Sequence, residues 1–428
     1  MSIDAAPVPA PVKRAPMGRR ELIAIVALMM SMNALAIDTM LPALDDIARD
    51  LDAMEGNQRQ LVIGVYTIVV GIGCLVPGSF ADRFGRRPVV LASLGIYSLM
   101  ALLAALATNF HFLLAVRGLA GLLAAGLIVA PNAIIRDRYE GDEMAGLMSL
   151  IAAVFVTVPV VAPTLGHGIL LFAGWRWIFA IMAILSAMLA VWVWLRLPET
   201  LAPENRQKID MPVILRNMRA VVSTRSSIGY VLGAALVLGA VFGYVNSAQQ
   251  LYQENFGIDA DTFPILFGAT AALMAITNLV NSRIVTRFGA RRVSHAGVVA
   301  FIIVSSVQVW SSYAHPANVY WFVSLTSINI ALLGFLMANF SSIAMQPFAR
   351  TAGAASSVQT FLRMFGAAIA GVLIGQAFDG TARPFAWSLF VFSICAFVLV
   401  FYSERGKLFP PPRGMRHVTR APGMHDAS

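Results

Sequence analysis

Charge is what this 428-residue chain has least of. Asp, Glu, Lys and Arg make up 12% of it, where a soluble domain carries roughly 25%. Cysteine is scarcer still. Cys74 and Cys395 are the only two, each inside an apolar run, which excludes a disulfide framework and a thiolate metal site. No GxxxxGK[ST] loop occurs, so ATP is not expected as an energy source. Gly71-Ile72-Gly73-Cys74-Leu75-Val76 lacks the third glycine of a dinucleotide loop and reads as helix packing. Neither a cofactor nor a metal is expected.

Apolar residues fill the space that charge leaves: 58% of the chain is hydrophobic, with a mean hydropathy of +0.74. Stretches of about 20 residues, enough to cross a bilayer as helices, fall at 21–41, 61–80, 89–107, 110–133, 144–172 and 177–195. A second set falls at 228–251, 263–280, 293–312, 319–343, 352–377 and 385–402. The expectation is an all-α membrane protein of about twelve spans in two six-helix bundles. The bundles cover residues 21–197 and 228–402, joined by a cytoplasmic linker at 198–227. Disordered cytoplasmic tails are expected at 1–20 and 403–428. The first apolar run ends at Asp38-Thr39-Met40-Leu41-Pro42 rather than at a small-residue cleavage site, so it reads as a retained helix.

The net charge of +9 sits where topology wants it. With the amino terminus inside, Lys and Arg collect in the tails, the linker and alternate short loops. Only Arg49, Arg59, Arg176 and Arg383 fall outside or at the outer edge, and Arg117 and Arg363 within spans. Outer loops are acidic, with Asp45, Asp46, Asp50, Asp52, Glu55, Glu254, Asp259 and Asp261. The bias predicts both termini in the cytoplasm and removes nucleic acid as a partner.

The densest signal is the loop Gly78-Ser79-Phe80-Ala81-Asp82-Arg83-Phe84-Gly85-Arg86-Arg87-Pro88. Gly78 permits close helix approach, Gly85 permits a turn that other residues resist, and Pro88 opens a helix where no donor is needed. Asp82 can face a helix amino terminus, and Arg86 and Arg87 can pair with Asp137 of Arg136-Asp137-Arg138. A degraded copy, Arg283-Ile284-Val285-Thr286-Arg287-Phe288-Gly289-Ala290-Arg291-Arg292, recurs half a chain later. Such internal repetition marks secondary transporters.

This pattern resembles the major facilitator superfamily and, within it, the drug:proton antiporters. Ala36-Ile37-Asp38-Thr39-Met40-Leu41-Pro42, Arg136-Asp137-Arg138-Tyr139, Ala162-Pro163-Thr164-Leu165-Gly166, Gly174-Trp175-Arg176 and Leu197-Pro198-Glu199-Thr200 follow in order. Together they are similar to the bicyclomycin/chloramphenicol-resistance group of bacterial exporters. The resemblance implies that Gly78, Asp82, Arg83, Gly85, Arg86 and Arg87 latch the two halves on the cytoplasmic side. Because Thr286 stands where Asp82 would, the carboxylate latch is expected in the first half alone.

Asp38 is the acid on which coupling is expected to turn, since a carboxylate within an apolar helix is expensive and functional by default. Arg117 lies at a similar depth in an antiparallel span, open to contact with it or to a shared cavity. The alternative is that Asp38 merely ends the first helix beside Pro42. The resemblance links the helix 1 acid and helix 4 arginine to proton and substrate binding. Pro159 and Pro163 bend the fifth span, and Gly166 allows tight crossing; the resemblance makes this a hinge or seal. His167 stands where a glycine is more usual and can titrate near neutrality, or simply form an interfacial hydrogen bond. Arg363 near mid-span can face a cavity and favour anionic or zwitterionic substrates, pair with an acid such as Asp38, or snorkel. Asn33, Asn132, Asn246, Gln249, Gln250, Asn329, Asn339, Gln359, Tyr66, Phe155 and Tyr244 are further candidates to line a pocket.

The expectation is a monomeric proton-coupled exporter of small amphipathic drugs or metabolites in a bacterial inner membrane. An uptake symporter for a small organic nutrient is the alternative. A membrane enzyme would need a reactive pair, and His167 has no evident partner in sequence.

Overall fold

Long helices follow one another with short breaks in a computed structural model that describes residues 17–53, 55–75, 77–139, 141–206 and 211–409. In chain order they are α1 (Arg19–Asp38), α2 (Leu44–Asp50), α3 (Leu61–Gly73), α4 (Pro77–Phe84), α5 (Arg86–Ala105), α6 (Phe110–Ala124), α7 (Gly126–Arg136), α8 (Gly141–Phe172) and α9 (Arg176–Arg196). Then come α10 (Met211–Ser223), α11 (Arg225–Gln250), α12 (Phe263–Phe288), α13 (Ala290–Ala314), α14 (Val319–Met345), α15 (Ala352–Gln376) and α16 (Arg383–Ser403). Among the described residues ten helical stretches are long and apolar enough to cross a membrane. The bent pair Gln58–Gly73 and Pro77–Phe84, at 49° to each other, makes an eleventh. The remaining expected span, 144–172, lies in α8.

Each boundary has a local cause. Asn109 and Asn318 cap α6 and α14, accepting backbone N–H groups of Phe112 and of Tyr320 and Trp321. α3 gives way to α4 around Pro77, which has no N–H to continue the ladder. Outward faces carry Leu99, Leu106, Leu171, Phe172 and Trp194, all exposed, as lipid-facing helices require. Polar groups lie inside instead: Ser31, Asp38, Arg117, Asn246, Asn329 and Asn339 are buried.

The starts of α1, α5 and α11 meet the ends of α4, α9 and α16 at one end, the terminal face. Glu21 there accepts 2.6 and 2.7 Å bonds from Arg196, and Ser403 Oγ donates to the Arg225 carbonyl. The opposite end, the far face, holds α2, the start of α3 and the segment between α11 and α12. α1–α9 pack chiefly among themselves, as do α11–α16; α3 against α15 and α8 against α12 are the main contacts between the groups.

Three expected boundaries shift. Arg19 and Arg20 belong to α1 rather than to a tail, because Arg19 reaches Glu143 and Arg196 holds Glu21 in the first turn. The linker 198–227 contains α10, whose apolar Val221 packs with Phe348, Ala355 and Val358. α11 begins at Arg225, whose guanidinium donates to the Tyr402 carbonyl and lies over its ring. Residues 1–16 and 410–428 of the expected tails lie outside the described residues.

Candidate functional site

α1 stops in the interior. Asp38 is its last residue, 5% exposed, and the chain turns through Leu41–Ala43 before resuming as α2. Thr39 Oγ1 donates back to the Leu35 carbonyl at 2.6 Å, and Pro42 supplies no donor. Gly166 of α8 lets that helix press on the break, since a Cβ there would lie 2.0 Å from the Thr39 carbonyl oxygen. From the other helix group, α11 touches the same turn. The Asp38 carboxylate has no hydrogen-bond or ion-pair partner among the described residues.

Arg117 comes close to this break but does not pair with Asp38, contrary to the contact left open by their depths. Its Nη2 donates to the Ala36 carbonyl and its Nε to the Val62 carbonyl, each at 3.1 Å. Its guanidinium lies 4.2 Å from the Tyr66 ring centroid and 5.9 Å from that of Phe179. The physical reason is that a helix end offers carbonyls without intrahelical partners, and a cation is well placed there. Tyr66 in turn donates to Asn33 at 2.8 Å, so α1, α3 and α6 are tied together just below the acid.

At the terminal face the glycine turn is built around an acid that sequence reasoning missed. Gly85, with φ +106° and ψ 157°, adopts a backbone open to glycine alone and separates α4 from α5. The Glu199 carboxylate fills the space where a Cβ would be, 2.3 Å from it. It accepts the backbone N–H groups of Arg86 and Arg87 at 2.8 and 3.2 Å and of Thr200 and Leu201 at 3.0 Å each. Glu199 thus caps α5, the part expected of Asp82. Asp82 accepts instead from Arg86 Nη1 at 2.5 Å, while Arg86 Nε reaches Asp137 at 3.0 Å. Thr200 Oγ1 also donates to Asp137, and Arg87 donates to the Trp194 carbonyl. Arg83 stacks on Phe84. Gly78 faces the other helix group, with Ser357 Oγ 3.4 Å from where its Cβ would stand. The signal that could have found Glu199 is its place just after the last helix of the first half.

The second copy repeats the turn and changes the locks. Gly289 has φ +80°, Thr286 donates to the Arg283 carbonyl, and Arg291 Nε donates to Glu404 at 2.8 Å. A carboxylate therefore does serve the second copy, from beyond α16 rather than from the position of Asp82.

Polar contacts between the helix groups concentrate at the far face. Arg59 pairs with Asp45 of its own group and with Glu254 of the other. Gln60 pairs with Gln250, and Asn57 donates to the Gln376 and Phe378 carbonyls at 3.0 and 2.9 Å. His167 Nε2 lies 2.7 Å from Asp261, a partner not visible in sequence. Asp259 close to it accepts the Thr262 backbone N–H in the turn that leads into α12, which holds its carboxyl below the usual range. Pro159 and Pro163 lie within α8, and Gly268 of α12 approaches the Val160 carbonyl between them.

Of the remaining candidates, several are bound to other helices. Asn329 donates to Gln308, Asn339 pairs with Asn281 and Gln359 donates to the Ala344 carbonyl, whereas Gln249 donates to Gln253 one turn further along its own helical stretch. Tyr244 stacks on Phe267, and the Asn132 amide returns to its own helix. Asn246 is buried with an unpartnered oxygen. The Phe155 side chain lies outside the described residues. Arg363 is half-buried on α15, its Nη1 donating to Ser341 Oγ of α14 at 2.7 Å; it does not pair with Asp38.

Membrane-length helices with polar interiors, two groups meeting along α3–α15 and α8–α12, and an interior carboxylate define a multi-pass membrane protein built of two helix groups. The profile of the Major Facilitator Superfamily matches residues 26–371, and the chain belongs to that superfamily. It is similar to the uncharacterized transporter YdgK of Bacillus subtilis, 29% identical over 382 residues that cover 88% of this chain and 93% of that one. It is similar also to a bicyclomycin resistance protein homolog of Haemophilus influenzae, 27% identical over 85% of this chain and 90% of that one. Among solved structures it resembles a bacterial homolog of the human lysosomal transporter Spinster in an inward-facing, occupied conformation. The TM-score is 0.69, with 15% identity, over 92% of this chain and 99% of that one.

Proposed function

We propose that the chain is a monomeric proton-coupled antiporter that exports small amphipathic compounds across a bacterial inner membrane, with both termini in the cytoplasm. The observation that carries this reading is the Asp38 carboxylate, buried and without a partner among the described residues, at a break in α1 that helices of both groups touch. An ionised carboxylate left so in a membrane interior is costly, and binding a proton removes the cost. The name of the Haemophilus relative supports a drug as cargo and export as direction.

In this reading α1–α9 and α11–α16 rock as two bodies. The far face is the outer one, closed here by the contacts of Asn57, Arg59, Gln60 and His167 with the second group. The path then opens to the cytoplasm, where the amphipathic cargo enters. Cargo leaves after the bodies rock, Asp38 then binds a proton from outside, and the protonated form returns. Asp82, Arg86, Asp137 and Glu199 hold the first body's cytoplasmic rim in shape for the closed-inside state. Pro159, Pro163 and Gly166 let α8 bend against the broken α1.

Growth of a drug-sensitive bacterial strain expressing the chain tests this, on a panel that includes bicyclomycin and chloramphenicol, with and without a protonophore. Raised tolerance that the protonophore abolishes, with lower cell-associated drug, is expected. Protonophore-sensitive accumulation of the same compounds would reverse the direction, and tolerance untouched by the protonophore would remove the coupling.

A further inference from the structure

Two arginines lie deep in membrane spans, and the protein treats them differently. Arg117 is 2% exposed and fully engaged: two carbonyls accept from it and two aromatic rings face its guanidinium. This is how a buried cation is neutralised when its work is to hold helices together. Arg363 has no such setting. It lies eleven residues into α15, roughly 16 Å from the terminal-face end at about 1.5 Å per residue, near the middle of its span. Among the described residues its one hydrogen bond goes to the neutral hydroxyl of Ser341, and its buried Nε meets no acceptor. Among the described residues no Asp or Glu pairs with it.

Its position points to the transport path. The neighbouring residues Met364 and Phe365 meet Gly71 of α3, where a Cβ would lie 2.7 Å from the Phe365 Cα, so Arg363 sits beside the seam between the helix groups. α14 packs mainly on α12 and α13, and α15 on α11 and α3, so the bond from Arg363 to Ser341 joins two helices that otherwise scarcely meet. The Arg363 side chain is half-buried, neither sealed in the core like Arg117 nor open on the surface.

A fixed cation in a membrane interior is expensive unless something pairs with it. The Nε edge of a guanidinium, with one Nη, matches the two oxygens of a carboxylate or phosphate. We propose that Arg363 recognises an anionic group on the cargo, so that the transporter takes amphipathic organic anions. Ser341 holds the fork in place by its other nitrogen. The inference rests on the transport reading above, and deepens it by naming the cargo's charge.

The test uses the purified full-length protein and one apolar body with different heads: 1-naphthoate, 1-naphthyl phosphate, 1-naphthamide and 1-naphthylmethylammonium. Binding is read by quenching of tryptophan fluorescence in detergent. The anions are expected to bind at least about tenfold more tightly than the amide, a difference of about 1.4 kcal/mol. The two anionic heads distinguish carboxylate from phosphate recognition. Arg363→Met, which leaves no orphan charge, should bring anion binding down to the level of the amide, and Arg363→Lys should restore part of it, lacking the fork. Absence of any anion preference, or a preference unchanged in Arg363→Met, overturns the proposal. The two readings fail separately. Wild-type protein that prefers anions but shows no proton-driven transport defeats the coupling alone. Proton-driven export of cations that Arg363→Met leaves intact defeats the anion site alone.

Discussion

The two glycine turns at the terminal face are copies of one design that keep the turn and its flanking residues and differ in what their charged groups hold. Gly85 and Gly289 both take a positive φ, each is preceded by an arginine stacked on a phenylalanine, and each half ends in a glutamate that serves its own turn. In the first copy that glutamate caps α5 through the backbone, leaving Arg86 to tie Asp82 to Asp137. In the second, Glu404 holds the Arg291 side chain and accepts from Tyr230, while Thr286 stands in for Asp82. The lesson is that geometry preserves the glycine, because only glycine fits that backbone, whereas the charge pattern follows what each half has to do.

Alanine at the two glycines gives the largest contrast. Gly289→Ala meets no atom within 4 Å, so it bears only backbone strain of about 1–3 kcal/mol. Gly85→Ala bears the same strain and displaces Glu199 from four backbone donors, adding about 1–2 kcal/mol for the lost cap. Thermal unfolding in detergent should rank Gly85→Ala clearly below Gly289→Ala; equal loss would mean that Glu199 does not matter to the turn. A middle effect is expected from Asp82→Asn. It should slow turnover about tenfold, about 1.4 kcal/mol on the barrier, with cargo binding nearly unchanged, because Asp82 grips the first body and not the path. Loss of binding at normal turnover would contradict that role. The smallest effect belongs to Arg83→Ala and Arg287→Ala, which lose only an exposed stacking contact. Each should stay within about 0.5 kcal/mol of the parent, and a large loss in one alone would show a partner that the repeat does not predict.

How much of this was legible follows the same division. Helices of membrane length were readable because a bilayer demands some twenty apolar residues and punishes charge, so scarcity of charge was itself the signal. The hairpin glycine and the Arg86–Asp137 pair were readable because short-range chemistry and a repeated motif constrain them. Depth along the helices left contact or a shared cavity open for Asp38 and Arg117; it says nothing about which way a guanidinium turns, and here Arg117 turns to the open Ala36 carbonyl at the end of α1 rather than to the carboxylate. Glu199, Asp261 as the partner of His167, and Ser341 beneath Arg363 were hidden because each lies far along the chain from the group it meets. The 49° bend between α3 and α4 was missed for a different reason: hydropathy runs smoothly through Pro77.

The role of Asp38 is tested most directly by proton movement in sealed vesicles. Protein reconstituted with a pH-sensitive dye inside should, on addition of a cargo identified in the growth assay, move protons against the cargo. In Asp38→Asn that signal should fall at least about a hundredfold, about 2.7 kcal/mol, while exchange of labelled for unlabelled cargo continues. Proton movement undiminished in the variant would contradict the account at its centre.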